Sequence, residues 1–315
     1  MTADLARRAA VRFARSLVPL GAAAFLAAGL ATTPAQNSGS LFVDVAVEAP
    51  DGQLVTGLSR DDFEIAIAGR SVAVDSLVAG KEQPVSLVLL LDATASIDTD
   101  VGRDVIRKAI EKSLLPKLAP RDRVQAGSFA KQIKIGPPLV NDSRALLSAI
   151  GKALDLPKAE TFGPSPIWDA VALAVETLKN APGRRAIILI TDGRATGNRL
   201  DVEEVAARAA AAGVLVNVVG EDSEIVLRQD ANTGVRVRPG VALEFIANAT
   251  GGLYVPDTAS PPAPGPVFER VLADLHERYT LAFAAPGDQP QTVNVHVKRP
   301  GVKIRVSRPR TAPIS

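Results

Sequence analysis

Three short stretches of this chain place oxygen-bearing side chains just past runs that read as β-strands. Asp92, Thr94 and Ser96 alternate after the apolar run 85–91. Ser165 stands between Pro164 and Pro166, ahead of Ile167-Trp168-Asp169-Ala170. Asp192 lies in Thr191-Asp192-Gly193, which follows the apolar run 186–190. Ligand groups of a parallel sheet gather where its strands end, so the stretches offer two carboxylates and three hydroxyls at one edge. That is a coordination set for a hard divalent cation. Oxygen-only donors favour Mg²⁺, with Mn²⁺ and Ca²⁺ as alternatives, over zinc or copper. Two carboxylates neutralise such an ion without saturating it, which leaves a position for a carboxylate from another protein.

Taken singly, each stretch has a plainer reading. Thr94 and Ser96 suit helix N-caps, Thr191-Asp192-Gly193 suits a turn, and Ser165 is ordinary loop composition. Their coincidence at strand ends is what points to a site. A haloacid-dehalogenase-like phosphatase also begins with a buried strand and an Asp. It needs a second Asp two residues on as general acid, however, and position 94 is Thr, which cannot relay the proton. A serine nucleophile at Ser165 lacks the closing glycine of a nucleophile elbow. The chain has no cysteine, which removes thiol catalysis, thiolate metal sites and disulfides. Its two histidines, His276 on an expected helix and His296 in an expected strand, read as structural or surface residues. The expectation is a non-enzymatic binding protein; the alternatives are a haloacid-dehalogenase-like phosphatase and a structural scaffold with no bound metal.

The elements that must position these groups follow from the apolar pattern. From residue 84 strands and helices alternate: strands at 85–91, 124–129, 133–139, 185–191 and 214–220, helices at 101–118, 143–154, 168–180 and 202–212. Asn141 or Asp142 is the expected cap of the second helix. The run 85–91 has the continuous apolar character of a strand covered on both faces. This predicts an α/β fold, a doubly wound, mostly parallel Rossmann-like sheet. Residues 221–239 read as a hairpin inserted after a strand, on the same edge as the metal ligands, where it would shape partner choice. A helix at 241–250, a short strand at 253–255 and a helix at 267–278 follow. Strand-like runs at 41–48, 63–68 and 71–77, and again at 279–283, 292–298 and 302–306, predict a small accessory β domain built from both chain ends.

The first 35 residues read as a signal peptide. Arg7, Arg8, Arg12 and Arg15 precede the apolar stretch 17–31 and the small residues Thr32-Thr33-Pro34-Ala35, with cleavage expected near Ala35. The apolar stretch is short of the roughly 20 residues that span a bilayer. The protein is therefore expected to be exported, periplasmic or extracellular, with no membrane span after cleavage. Those four arginines against Asp4 account for +3 of the formal charge of +2, leaving −1 for the rest. A near-neutral mature chain gives no electrostatic reason to bind nucleic acid or an anionic membrane. The expected divisions are 1–35, 36–83 (β), 84–257 (α/β) and 258–315 (a helix and β segments).

The stretches 85–96, 163–170 and 187–193 resemble the three motifs of a von Willebrand factor type A domain. That family's metal-ion-dependent adhesion site reads Asp-x-Ser-x-Ser, then Thr, then Asp. Asp92, Ser96 and Asp192 match it; Thr94 stands where the family has Ser, and Ser165 where it has Thr. Both departures keep a hydroxyl. The resemblance implies a divalent cation held by Asp92, Thr94, Ser96, Ser165 and Asp192, and a protein partner that supplies an acidic side chain to it. Gly52, Val55-Thr56-Gly57-Leu58, Asp61-Asp62-Phe63-Glu64, Thr250-Gly251-Gly252 and Glu277-Arg278-Tyr279-Thr280-Leu281 are similar to exported bacterial proteins with an acidobacterial-type von Willebrand-related domain.

Overall fold

The computed structural model describes residues 40–95, 100–140, 142–221, 225–228, 234–257, 264–284 and 292–311. The expected signal peptide and Ser96 lie outside the described residues.

In chain order, β1 (Ser40–Glu48) is followed by β2 (Phe63–Ile67), β3 (Arg70–Val72) and β4 (Val74–Ala79). β5 (Val85–Asp92) and α1 (Asp100–Ala109) open the alternating region. Helical structure continues past α1 through a wide turn at Ile110–Leu114 and a tight one at Leu115–Lys117, where Pro116 removes a donor. Next come β6 (Arg123–Phe129), β7 (Ile133–Ile135), β8 (Leu139–Val140), α2 (Ser143–Leu154), α3 (Lys158–Thr161) and α4 (Ile167–Leu178). β9 (Arg184–Thr191), α5 (Val202–Ala211) and β10 (Val214–Glu221) lead to the hairpin β11 (Ile225–Arg228) and β12 (Gly234–Val237). The chain then forms α6 (Pro239–Thr250), β13 (Tyr254–Asp257), α7 (Gly265–Glu277), β14 (Tyr279–Ala284), β15 (Val293–Val297) and β16 (Lys303–Val306).

The central sheet has the order β13-β10-β9-β5-β6-β7, with β8 also paired to β6. Its first five strands are parallel; β7 and β8 run antiparallel to β6. Successive side chains of a strand point to opposite faces. Leu87, Leu89, Leu91, Ile188 and Ile190 accordingly meet helices α1, α2 and α7 on one side. Val88, Leu90, Ile187, Leu189, Val216 and Val218 meet α4, α5 and α6 on the other. This is the doubly wound α/β body. Asp142 caps α2, accepting from Ala145 N at 2.8 Å. Among the described residues no helix is long and apolar enough to cross a membrane.

The structure differs from the sequence expectation in three places. The strand expected at 133–139 is two, β7 and β8, because Gly136-Pro137-Pro138 cannot continue a ladder. The run 71–77 divides at Ala73, with β3 pairing β2 and β4 pairing β14. The chain ends therefore build two antiparallel sheets, β16-β1-β14-β4 and β15-β2-β3. Val43, Val45, Ile65, Phe63, Leu281 and Phe283 fill one core between them, as in a sandwich. Third, α7 packs Phe268, Val271, Leu272 and Leu275 into the core of the parallel sheet, although it sits among terminal β segments in the chain.

The base of the parallel sheet is joined to these β layers by buried charge. Arg184, at the start of β9, is fully buried; it donates to the Leu275 and Arg278 carbonyls and to Thr280, and stands 3.7 Å from Asp44. Arg310 Nη1 donates to Asp44 at 2.8 Å, and Thr280 Oγ1 does so at 2.6 Å. Nearby, Asp274 takes hydrogen bonds from Arg278 and Arg305. Burial alone would raise the Asp44 and Asp274 carboxyls. The facing arginines outweigh it and hold both below the ordinary carboxylate value.

Candidate metal centre

Asp92 is the last residue of β5 and is only 1% exposed. Its Oδ1 accepts from Thr94 N at 3.0 Å and from Thr94 Oγ1 at 2.6 Å. Its Oδ2 accepts from Thr191 Oγ1 at 2.7 Å and, more weakly, from Ser165 Oγ at 3.4 Å. The strand therefore delivers the carboxylate, and hydroxyls from three different segments orient it. Burial pushes the Asp92 carboxyl up to about 6; the Thr94 and Thr191 hydrogen bonds oppose this, and neighbouring Asp192 adds to the rise.

Asp192 follows β9 and is also buried. Its Oδ1 accepts from Arg194 N at 3.0 Å. Its Oδ2 is buried without a hydrogen-bond partner, although Arg194 Nε stands 3.5 Å away. That contact is an ion pair without a hydrogen bond, so the oxygen can still accept one. Gly193 makes this loop possible, with a φ of +76°.

Ser165 reaches the site from the loop before α4, and a second loop fastens it there. Ser165 N donates to Thr196 Oγ1 at 2.8 Å, and Thr196 N returns a bond to the Ser165 carbonyl at 2.9 Å. Asn198 Oδ1 accepts from Trp168 N at 2.7 Å, and Asp169 accepts from the amides of Arg199 and Leu200. A Cβ on Gly197 would lie 2.5 Å from Pro164 Cβ, so only glycine allows these loops to approach so closely.

Asp92, Thr94 and Ser165 thus form one hydrogen-bonded group with Asp192 beside it. Thr191 belongs to the same group, yet sequence reasoning passed over it as part of a turn. Its signal was the position itself, a hydroxyl at the end of a buried strand next to the one ending in Asp92. Thr196, Asn198 and Asp169 carried no comparable signal, because their partners lie about thirty residues away in the chain.

The donor set fits a hard divalent cation. Asp192 Oδ2 lacks a hydrogen-bond partner, and the donors that the described residues supply to Asp92 are neutral hydroxyls and an amide. Among the described residues no three His, Cys, Asp or Glu side chains converge as a metal cluster. The hydroxyls of Thr94 and Ser165 would have to complete a set of which the carboxylates are only part.

Residues 86–233 match the family model for the von Willebrand factor type A domain. No curated protein matches the chain. Among solved structures, an aerotolerance-related membrane protein from Bacteroides fragilis shares 20% identity, over 61% of this chain and 98% of that one, with a TM-score of 0.47. A von Willebrand factor type A protein from Catenulispora acidiphila shares 14%, over 87% of this chain and 74% of that one, with a TM-score of 0.46. Proximal thread matrix protein 1 of the mussel byssus, with a zinc-occupied metal-ion-dependent adhesion motif, shares 16%, over 61% of this chain and 48% of that one, at 0.46. Residues 86–233, a little under half of the chain, are thus the region similar to the von Willebrand factor type A domain.

Proposed function

We infer that this protein is a non-enzymatic, divalent-cation-dependent binding module. Asp92, Thr94, Ser165 and Asp192 hold the ion, with Ser96 completing the set, and a carboxylate from a protein partner fills its open position. The observation that carries this reading is the pair of buried carboxylates, one held by neutral donors and the other with an unpaired oxygen. Burying a carboxylate is costly when only neutral donors meet it, as at Asp92, or when its cation is a half-exposed arginine, as at Asp192; a bound ion would relieve both. Mg²⁺ is the expected ion, because the ligands are oxygens and the hydroxyls leave room for water.

The basic and apolar character of residues 1–35 supports export, so the module would work in the periplasm or outside the cell. Fractionation of cells expressing the full chain tests this, and a shortened protein outside the inner membrane is expected. An unprocessed chain in the cytosol would reject it.

Calorimetric titration with Mg²⁺ tests the metal reading. The native protein should bind one ion, and Asp92→Ala should bind none. Absence of binding by the native protein would leave a structural scaffold. Hydrolysis of a generic phosphate ester by the native protein, lost in Asp92→Ala, would replace the binding reading with an enzymatic one.

A further inference from the structure

The two buried carboxylates of the edge differ in their nearest charge. Asp92 receives only neutral hydroxyls and an amide from the described residues, whereas Asp192 has a guanidinium beside it. Arg194 Nε stands 3.5 Å from Asp192 Oδ2, and that oxygen has no hydrogen-bond partner. The pair is therefore held by charge alone. The Arg194 side chain is 48% exposed, so solvent screens the attraction and the guanidinium can leave at little cost.

The loop does not rest on that side chain. Backbone amides hold it: Arg194 N donates to Asp192 Oδ1 at 3.0 Å and Gly193 N to Thr191 Oγ1 at 3.0 Å. Ala195 N donates to the Gly193 carbonyl at 2.8 Å, and Thr196 N to the Ser165 carbonyl at 2.9 Å. Gly193 is seated on α6, where a Cβ would lie 2.7 Å from Pro239 Cβ. Among the described residues the Arg194 guanidinium makes no other ion pair. A side chain that neither braces its loop nor hydrogen-bonds its partner leaves its charge as its contribution to the edge.

We propose that Arg194 is a tethered counter-cation to Asp192 which a divalent ion must displace, and that it thereby sets how tightly the edge takes the ion. Two cations are held at one carboxylate oxygen only against their mutual repulsion. The guanidinium is the one that gives way, because it carries a single charge and already faces solvent on one side. Arginine stays charged across the ordinary pH range, so this competition is permanent and not a pH switch. The proposal rests on the cation reading of the edge and adds to it the residue that opposes binding.

The test compares Mn²⁺ binding by the native chain, Arg194→Gln and Arg194→Lys at low salt, with free ion followed by electron paramagnetic resonance. Arg194→Gln removes the charge, keeps the backbone bonds and should bind Mn²⁺ about threefold to tenfold more tightly. Arg194→Lys keeps the charge and should bind as the native chain does, to within about twofold. In about 1 M salt, where charges are screened over about 3 Å, the advantage of Arg194→Gln should shrink. Equal or weaker binding by Arg194→Gln, an equal gain in Arg194→Lys, or a gain that salt leaves intact would each overturn the proposal while keeping the cation reading. No binding by the native chain or by either variant would reject the cation reading, and the proposal with it.

Discussion

Strand β9 begins on a buried guanidinium, Arg184, and ends at buried carboxylates, with Asp192 next in the chain and Asp92 on the adjacent strand. At its start the charge is met from within the chain. Asp44, Thr280 and backbone carbonyls surround Arg184, and Arg310 shares Asp44. At its end Asp92 receives hydroxyls and an amide, and Asp192 keeps a buried oxygen without a hydrogen bond, 3.5 Å from the half-exposed Arg194. Burial alone does not tell the two ends apart. The difference lies in how the opposite charge is supplied: buried and hydrogen-bonded at the start, and at the end only as a half-exposed arginine beside Asp192.

Removing one carboxylate at each end sharpens the contrast. Asp44→Ala leaves Arg184 and Arg310 facing each other in the interior, so urea unfolding should show a loss of about 3–5 kcal/mol. Acid should expose the same dependence. Asp44 and Asp274 are held below their ordinary value of 3.8, so their contribution is present above that value and lost as pH falls through the lower folded values. The thermal midpoint should fall in strong acid, and Asp44→Asn should flatten that part of the profile. A midpoint indifferent to acid would break the account of the base.

At the other end the effects are smaller. Thr191→Val deletes a donor to Asp92 and the acceptor for Gly193 N, a loss of about 1–3 kcal/mol by urea unfolding. Asp92→Asn, measured in chelator, should change stability by less than about 1 kcal/mol, because it removes a buried charge that has no cationic partner among the described residues. If Asp92→Asn proved as damaging as Asp44→Ala, the two ends would not differ and the comparison would fail.

Much of the carboxylate edge was legible because it depends on local pattern. The apolar run at 85–91, broken only by Ser86, reads as a strand covered on both faces, and the residue after such a strand emerges at the sheet edge. Asp92 and Asp192 follow from that rule. The basal charge network was not legible, since Asp44 and Arg310 meet across 266 positions of chain and neither has a local reason to be buried. The two-sheet arrangement of the chain ends was hidden for a related reason. Residues 71–77 read as one strand by alternation, and only pairing with distant partners divides them at Ala73. The place of α7 likewise depended on tertiary contacts that its amphipathic pattern does not name.

The central claim is that the edge holding Asp92 and Asp192 takes a divalent cation that the fold does not replace. Titration with Mn²⁺, with free ion followed by electron paramagnetic resonance, tests it most directly. The account predicts one bound Mn²⁺ per native chain, displaced by Mg²⁺, and none in Asp92→Asn. Equal binding by the two proteins, or none by the native chain, would contradict it.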